Sequence, residues 1–146
     1  MAHRPAASIP MTPLHYRPLP PLLRPLVDKF YRSQRSPMRS QAGDEIWVAE
    51  QVGEIVAALS LRAVAGGQWL TGLFVATALR RQGLAATLLD HALAQHPEAI
   101  WLFCHPDLQS FYQRHGFEAG HPLPAELAER LARYQRSKSL LSLRAH

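Results

Sequence analysis

The segment Arg80-Arg81-Gln82-Gly83-Leu84-Ala85 carries the most legible chemistry in the chain. It follows an apolar stretch, Leu73-Phe74-Val75, after a short gap, and it opens a helical pattern at a glycine. The first backbone N–H groups of a helix have no internal partner and carry partial positive charge. Phosphate groups settle there for that reason. Gly83 removes the side chain that would hold a phosphate off the backbone, and Ala85 is nearly as small. Arg80 and Arg81 add charge beside the same place. The arrangement suits a pyrophosphate. It is not a nucleoside-triphosphate loop, because no Gly-Lys-Ser/Thr follows, and it lacks the Gly-x-Gly-x-x-Gly spacing of a dinucleotide fingerprint. Standing alone, it reads equally as an ordinary helix start with arginines.

A second segment lies one strand further on. Ala-Ile-Trp-Leu-Phe-Cys, residues 99–104, reads as a buried strand, and the chain continues His105-Pro106-Asp107-Leu108-Gln109-Ser110-Phe111-Tyr112-Gln113-Arg114-His115-Gly116-Phe117. Leu-Phe-Val, then Arg-Arg-Gln-Gly-Leu-Ala, then a strand and Phe-Tyr-x-x-x-Gly-Phe resembles the GNAT-type N-acetyltransferase superfamily. The resemblance covers residues 45–120 by motif and the whole chain by order of elements.

The resemblance implies an α/β (α+β) fold. It has a mixed, largely antiparallel central sheet of about six to seven strands, flanked by about four to five helices. Two neighbouring parallel strands, here 68–76 and 99–104, splay to admit the pantetheine arm of acetyl-CoA as cosubstrate. The arm would pair with the backbone of Leu73, Phe74 and Val75. The Val75 N–H would donate to the thioester carbonyl and stabilise the oxyanion that forms there. The backbone of Arg81, Gln82, Gly83, Leu84 and Ala85, with the Arg80 side chain, would hold the pyrophosphate. His105 stands where the family often has an asparagine that contacts the arm, and an imidazole can donate one such bond. Phe111 packs beside the cofactor. Tyr112 matches the family's general acid, a phenol that hands a proton to the departing thiolate. Tyr112 has a second reading as a core aromatic on the helix face shared with Leu108. The acceptor side would draw on Phe30, Tyr31 and Trp69, with Met38 and Tyr134 near. The acceptor itself is a small-molecule or peptide amine. Many members carry a glutamate upstream of the Val75 position as general base. Here that stretch is Trp69-Leu70-Thr71, so Glu50, Glu54, His105 or a water chain must serve. The missing carboxylate keeps open an acyl-CoA sensor without turnover.

These residues need elements to position them. Residues 1–13 are rich in Pro and Ala and read as a loose arm before a single domain, 14–146. Leu14 to Leu19 alternates as a first strand. Pro21 then opens a helix to Arg32 whose face is Leu22, Leu26, Val27 and Phe30. Glu45–Glu50 and Glu54–Arg62 form a hairpin, and Gln68–Ala76 adds a third strand. Gly72 inside that strand predicts a bulge or the close approach of another backbone. Gly83 to Gln95 is a helix with Leu84, Ala85, Leu88, Leu89 and Ala92 inward. Pro106 begins a helix with Leu108, Phe111, Tyr112 and His115 on one face, ended by Gly116. A short strand at Phe117-Glu118-Ala119, a helix over 124–136 with Leu127, Leu131 and Tyr134 inward, and a strand over 139–144 complete the chain.

Composition sets the bounds. The chain has 146 residues, 47% hydrophobic and 18% charged, which suits one domain with a real core and excludes a disordered polyelectrolyte. Sixteen Lys+Arg against eleven Asp+Glu give +5. The arginines are scattered, without the basic and aromatic interleaving of a nucleic-acid platform, so nucleic acid is not the expected partner. Cys104 is the only cysteine, which rules out an internal disulfide. It reads as a buried strand residue rather than a nucleophile. The eight histidines form no HxxxH or HExxH pair, so no metal is expected. No apolar run reaches the roughly 20 residues of a membrane span. The start Met1-Ala-His-Arg-Pro lacks the apolar core of a signal peptide. The expectation is a cytoplasmic monomer or homodimer.

Overall fold

A computed structural model of the chain describes residues 13–146, so the expected arm lies, but for Pro13, outside the described residues. The elements run β1 (Leu14–Pro18), a 3-10 turn (Pro21–Leu23), α1 (Arg24–Ser33), β2 (Glu45–Gln51), β3 (Glu54–Val64) and β4 (Gly67–Val75). A 3-10 turn (Thr77–Leu79) leads to α2 (Leu84–Ala94) and β5 (Ile100–Cys104). A further 3-10 turn (Pro106–Leu108), α3 (Gln109–Gln113), α4 (Ala125–Tyr134) and β6 (Leu141–Ala145) finish the chain. The six strands form one sheet in sequence order. Every neighbouring pair is antiparallel except β4 and β5, the expected parallel pair.

Each face of the sheet buries its own apolar layer. Leu84, Leu88, Leu89 and Ala92 of α2 pack on Ala57, Leu59, Leu61 and Leu70 with Ile100, Leu102 and Leu143. The opposite face takes Val27, Phe30 and Tyr31 of α1 against Ile46, Val48 and Ala58. Further along that face Leu127 of α4 sits with Val64, Trp69 and Trp101. Burial of apolar surface on both sides is what holds this sheet, because strands covered on two faces gain at every residue.

β4 changes register in its middle. Before the change Arg62 faces Trp69 and Ser60 faces Thr71. After it Ala58 faces Phe74 and Ala57 faces Val75. One residue of β3 thus opposes two of β4, Gly72 and Leu73, which is a β-bulge. Gly72 has φ +70°, which favours glycine, and a Cβ there would come 2.7 Å from the Tyr31 hydroxyl. That hydroxyl donates to the Gly72 carbonyl at 2.7 Å. The bulge is therefore present, and the group that approaches the glycine is a side chain rather than another backbone.

β4 and β5 pair only at their starts, Gln68 with Ile100 and Trp69 with Trp101, and then diverge. The joined end is fastened by a polar chain. His96 lies 2.6 Å from Glu45 and 2.9 Å from Glu98. Gln68 donates to the same Glu98 oxygen and the Trp47 indole to Glu45.

Three expectations change. Leu22 is 93% exposed and Leu26 47%, and the buried face of α1 is Val27, Phe30 and Tyr31. Leu22 sits in a 3-10 turn of three residues per turn, so the 3.6-residue phase does not extend back to it. The Phe117–Ala119 strand is a single bridge, Glu118 with Arg144, because Gly116 and Gly120, both at φ +89°, turn the chain on either side. Leu108 likewise belongs to a 3-10 turn and is 49% exposed, not on an α-helical face with Tyr112.

Two outcomes follow from these fastenings. Gly72→Ala should cost about 1–3 kcal/mol in urea unfolding, since it strains the backbone and meets the Tyr31 hydroxyl. His96 has its pKa set by burial, which lowers it, and by hydrogen bonds to Glu45 and Glu98, which together raise it above the ordinary value. Glu98 is held down to about 2, first by its bond to His96. A raised histidine stabilises fully below its unfolded pKa and loses that contribution as pH rises through the folded one. A depressed carboxylate loses its contribution only as pH falls towards the folded value. His96→Gln should therefore lower Tm by about 3 °C near pH 6, and the gap should close by about pH 9.

Candidate active site

The divergence of β4 from β5 opens a cleft of about 550 Å³. Its floor is Leu73, Phe74 and Val75 from the end of β4. One wall is Leu79, Arg80, Arg81, Gly83 and the first turn of α2. The other is Leu108, Phe111 and Tyr112. The two sequence segments that stand a strand apart thus face each other across one space. Gln82 and His105 do not line it. Gln82 is exposed between Arg81 and Gly83. The His105 Nδ1 accepts the Asp107 N–H at 3.1 Å and so starts the turn that leads into α3.

The bulge decides which backbone groups face the cleft. Gln68 donates its N–H to Ala99, beside β5. Ala76 donates its N–H to Val56 on β3. In an unbroken strand residues of like parity point to the same neighbour, and 68 and 76 do not. The extra residue at Gly72 inverts the alternation, so the N–H groups of Leu73 and Val75 point to the side that β5 has left. Side chains invert with them. Leu70 and then Leu73 and Val75 lie on the α2 face, while Trp69 and then Phe74 lie on the other.

The loop before α2 is shaped by backbone conformation. Arg81 has φ +66° and Gly83 φ +83°. Gly83 is the N-cap residue and offers no side chain to cap the helix. The first N–H groups of α2 therefore keep their donor capacity and partial charge at the cleft wall. A Cβ on Gly83 would touch nothing within 4 Å, so the glycine answers to its φ rather than to crowding within the protein. The Arg80 guanidinium folds over Phe74 at 4.9 Å and its Nε donates to the Val75 carbonyl at 3.3 Å. That carbonyl points to the same open side as the Val75 N–H.

Tyr112 is 7% exposed and held edge-on between Phe111 and Phe117. His115 pairs with Asp90 at 2.7 Å and so ties the end of α3 to α2. Burial, with a smaller contribution from Cys104, pushes the Tyr112 phenol well above its usual range. The phenol therefore keeps its proton near neutral pH. Tyr112 thus packs in the core and also lines the cleft.

The other candidates fall outside the cleft. Phe30 and Tyr31 lie in the core against Phe74, at 6% and 1% exposure. Trp69 packs with Phe103, under Arg62 and Arg130. The structure does not bring these three together. Glu50 is locked to Arg17 by two hydrogen bonds, of 2.6 and 3.0 Å, which hold its carboxyl below the usual range. Glu54 is exposed at the start of β3. No carboxylate lines the cleft. No group of three or more metal-ligating side chains occurs among the described residues. No helix among them is long and apolar enough to cross a membrane.

Known proteins bear on this geometry. The pattern of the acetyltransferase (GNAT) domain matches residues 42–119, which hold both walls of the cleft. No curated protein matches by sequence. Among solved structures, an acyl-CoA N-acyltransferase from Pseudomonas aeruginosa is 19% identical, with a TM-score of 0.63 over 92% of this chain and 100% of that one. A GNAT family acetyltransferase from Elizabethkingia anophelis with acetyl-CoA bound is 12% identical, with a TM-score of 0.62 over 91% and 97%. Arabidopsis thaliana Naa50, in complex with the bisubstrate analogue CoA-Ac-MVNAL, is 16% identical, with a TM-score of 0.64 over 91% and 98%. At these identities the likeness is one of fold.

Burial pushes the Cys104 thiol up as well, and the side chain is 4% exposed. Thiol reagents should modify native Cys104 at least about tenfold more slowly than the urea-unfolded chain, as expected of a buried, protonated sulfur. The match over residues 42–119, more than half of the chain, joins the split strand pair and the left-handed glycine cap in one conclusion: this protein belongs to the GNAT acetyltransferase family, whose members are acyl-CoA-dependent N-acyltransferases.

Proposed function

We infer that the cleft binds acetyl-CoA and that the protein transfers the acetyl group to a primary amine by direct attack. One observation carries this reading: the bulge at Gly72 turns the Val75 N–H into the fork between β4 and β5, across from Tyr112. An apolar floor suits the acyl and pantetheine portion, and the helix start with Arg80 and Arg81 suits the pyrophosphate. The acetyl-CoA and bisubstrate complexes of the structural neighbours support the same donor.

The chemistry then runs as follows. A neutral amine attacks the thioester carbonyl, and the new oxyanion accepts the Val75 N–H. The carbon–sulfur bond breaks as the carbonyl reforms. The leaving thiolate takes the Tyr112 proton, and the nitrogen gives up its own to water. Tyr112 regains a proton from solvent. Its raised pKa does not disqualify it, because burial in the same apolar cleft raises the proton affinity of the thiolate too. Arg80 must leave the Val75 carbonyl for the pantetheine arm to pair there, which frees its guanidinium for the phosphates. His105 does not line the cleft, and with Nδ1 engaged only Nε2 is free to turn towards the arm. The amine of a small molecule or of a peptide is the acceptor.

A second reading has one observation in its favour. β4 offers no carboxylate at Trp69-Leu70-Thr71, and Glu50 is tied to Arg17. A protein of this fold could then bind acyl-CoA without turnover. A broad amine screen with thiol-release detection separates the two, since binding of acetyl-CoA with no release from any amine class would leave only the sensor. Given turnover, Tyr112→Phe should lower kcat by about tenfold or more while acetyl-CoA Kd stays within about twofold. The wild type should show no alkaline loss of kcat below about pH 10, because the phenol keeps its proton there. Unchanged turnover in the variant would remove Tyr112 from the proton path.

A further inference from the structure

The acceptor that the open edge of β4 offers is already taken. The Val75 carbonyl points to the side that β5 has left, so the β3 ladder does not use it. Instead the Arg80 Nε donates to it at 3.3 Å, and the guanidinium stands 4.9 Å over the Phe74 ring. Phe74, Val75 and Arg80 all line the cleft, so both contacts lie inside it. Local structure builds this arrangement. The chain doubles back through the 3-10 turn Thr77–Leu79, whose first N–H is held by the Gln34 side chain at 2.9 Å. Residue 80 is thereby returned to residue 75. Phe30 and Tyr31 meet the Phe74 ring edge-on and fix the surface on which the guanidinium rests.

The hold is a light one. A bond of 3.3 Å is long, and Arg80 is exposed. A neutral hydrogen bond and an exposed cation–π contact each shift an equilibrium by only about two- to tenfold. The two terminal nitrogens of the guanidinium have no hydrogen-bond partner among the described residues, and no carboxylate lines the cleft to hold them. An anion competes well for such a side chain. Charge-assisted bonds are about twice as strong as neutral ones, and the planar fork matches two phosphate oxygens. The place where a phosphate settles is close by, at the uncapped start of α2 beginning with Leu84.

An exchange of partners follows. With Arg80 on the Val75 carbonyl, the edge of β4 has no acceptor to spare for an incoming amide N–H. With Arg80 on a phosphate, that carbonyl is open to the pantetheine arm. Each group keeps a partner in both arrangements, so neither leaves a polar atom stranded. We propose that Arg80 is a latch that selects the acyl donor: it covers the edge of β4 until a diphosphate draws it off, and so disfavours thioesters that bring the arm without the phosphates. The proposal rests on the reading of the cleft as an acetyl-CoA site and adds to it a specificity-determining residue.

Two donors test it. Acetyl-CoA and S-acetylpantetheine share the thioester and the arm, and only the first carries phosphates. Calorimetric titration of the full chain gives Kd for each without need of turnover. Arg80→Ala should move the two values in opposite directions, with acetyl-CoA weakened by about tenfold and S-acetylpantetheine tightened by about threefold or more. An arginine that serves the phosphates alone would weaken acetyl-CoA and leave S-acetylpantetheine where it was. That result overturns the latch, and so does S-acetylpantetheine that binds neither protein. If acetyl-CoA does not bind the wild type, the reading of the cleft fails first and the latch falls with it.

Discussion

The hydrogen bond from the Tyr31 hydroxyl to the Gly72 carbonyl is the point on which the site turns. It joins α1 to the bulge in β4 and closes over a glycine whose φ of +70° few other residues adopt. Without the extra residue, the alternation set at Gln68 would send the Val75 N–H towards β3, where it would be consumed by the ladder. With it, the last turnings of the strand face the fork. A tyrosine buried to 1% exposure and pushed far above its usual pKa, chiefly by burial, keeps the proton that this bond needs. The core of one face thus fixes the hydrogen-bonding direction of a strand whose chemistry lies beyond the other.

The fork itself is an arrangement of opposed ends. At its closed end β4 and β5 share backbone bonds, and His96, Glu98, Gln68 and Glu45 tie the chain around them. At its open end nothing bridges the strands, and the gap is walled by α2 and α3 instead. These two walls are themselves joined through His115 and Asp90. A cleft of this kind is preorganised, because its width is set by packing of α2 on the sheet rather than by mobile loops. The exposed loop at Arg80 to Gly83 is the part left to adapt, and there the guanidinium of Arg80 rests on the very carbonyl that a cosubstrate would use.

Much of this could be read from residue order. The helical period was clear for Leu84, Leu88, Leu89 and Ala92 of α2, while Leu26 of α1 falls outside the buried face expected for it. It failed where a 3-10 turn precedes the helix, since Leu22 and Leu108 were counted with the wrong number of residues per turn. Gly72 announced a bulge, but the identity of the group approaching it depends on α1, 41 residues away in sequence. The strand at Phe117 to Ala119 has the right residues and lacks the length, because two left-handed glycines bound it. Gly83 and the two arginines were visible as the start of a helix. That they share a cleft with Phe111 and Tyr112 is a fact of tertiary structure which only the second motif hinted at.

A basic row under α4 lies beyond such reading altogether. Arg62, Trp69, Trp101 and Arg144 fall on four strands, and nothing in their spacing announces that they share a line. Each on its own is unremarked: an arginine at a strand edge, a tryptophan in an apolar run. The two indoles and the Arg144 Nε are buried there without an acceptor. They carry a desolvation cost that an apolar side chain filling the same space would not. The cleft on the α2 side gathers residues of both family motifs, whereas the row on the opposite face is packed under α4 and belongs to the core.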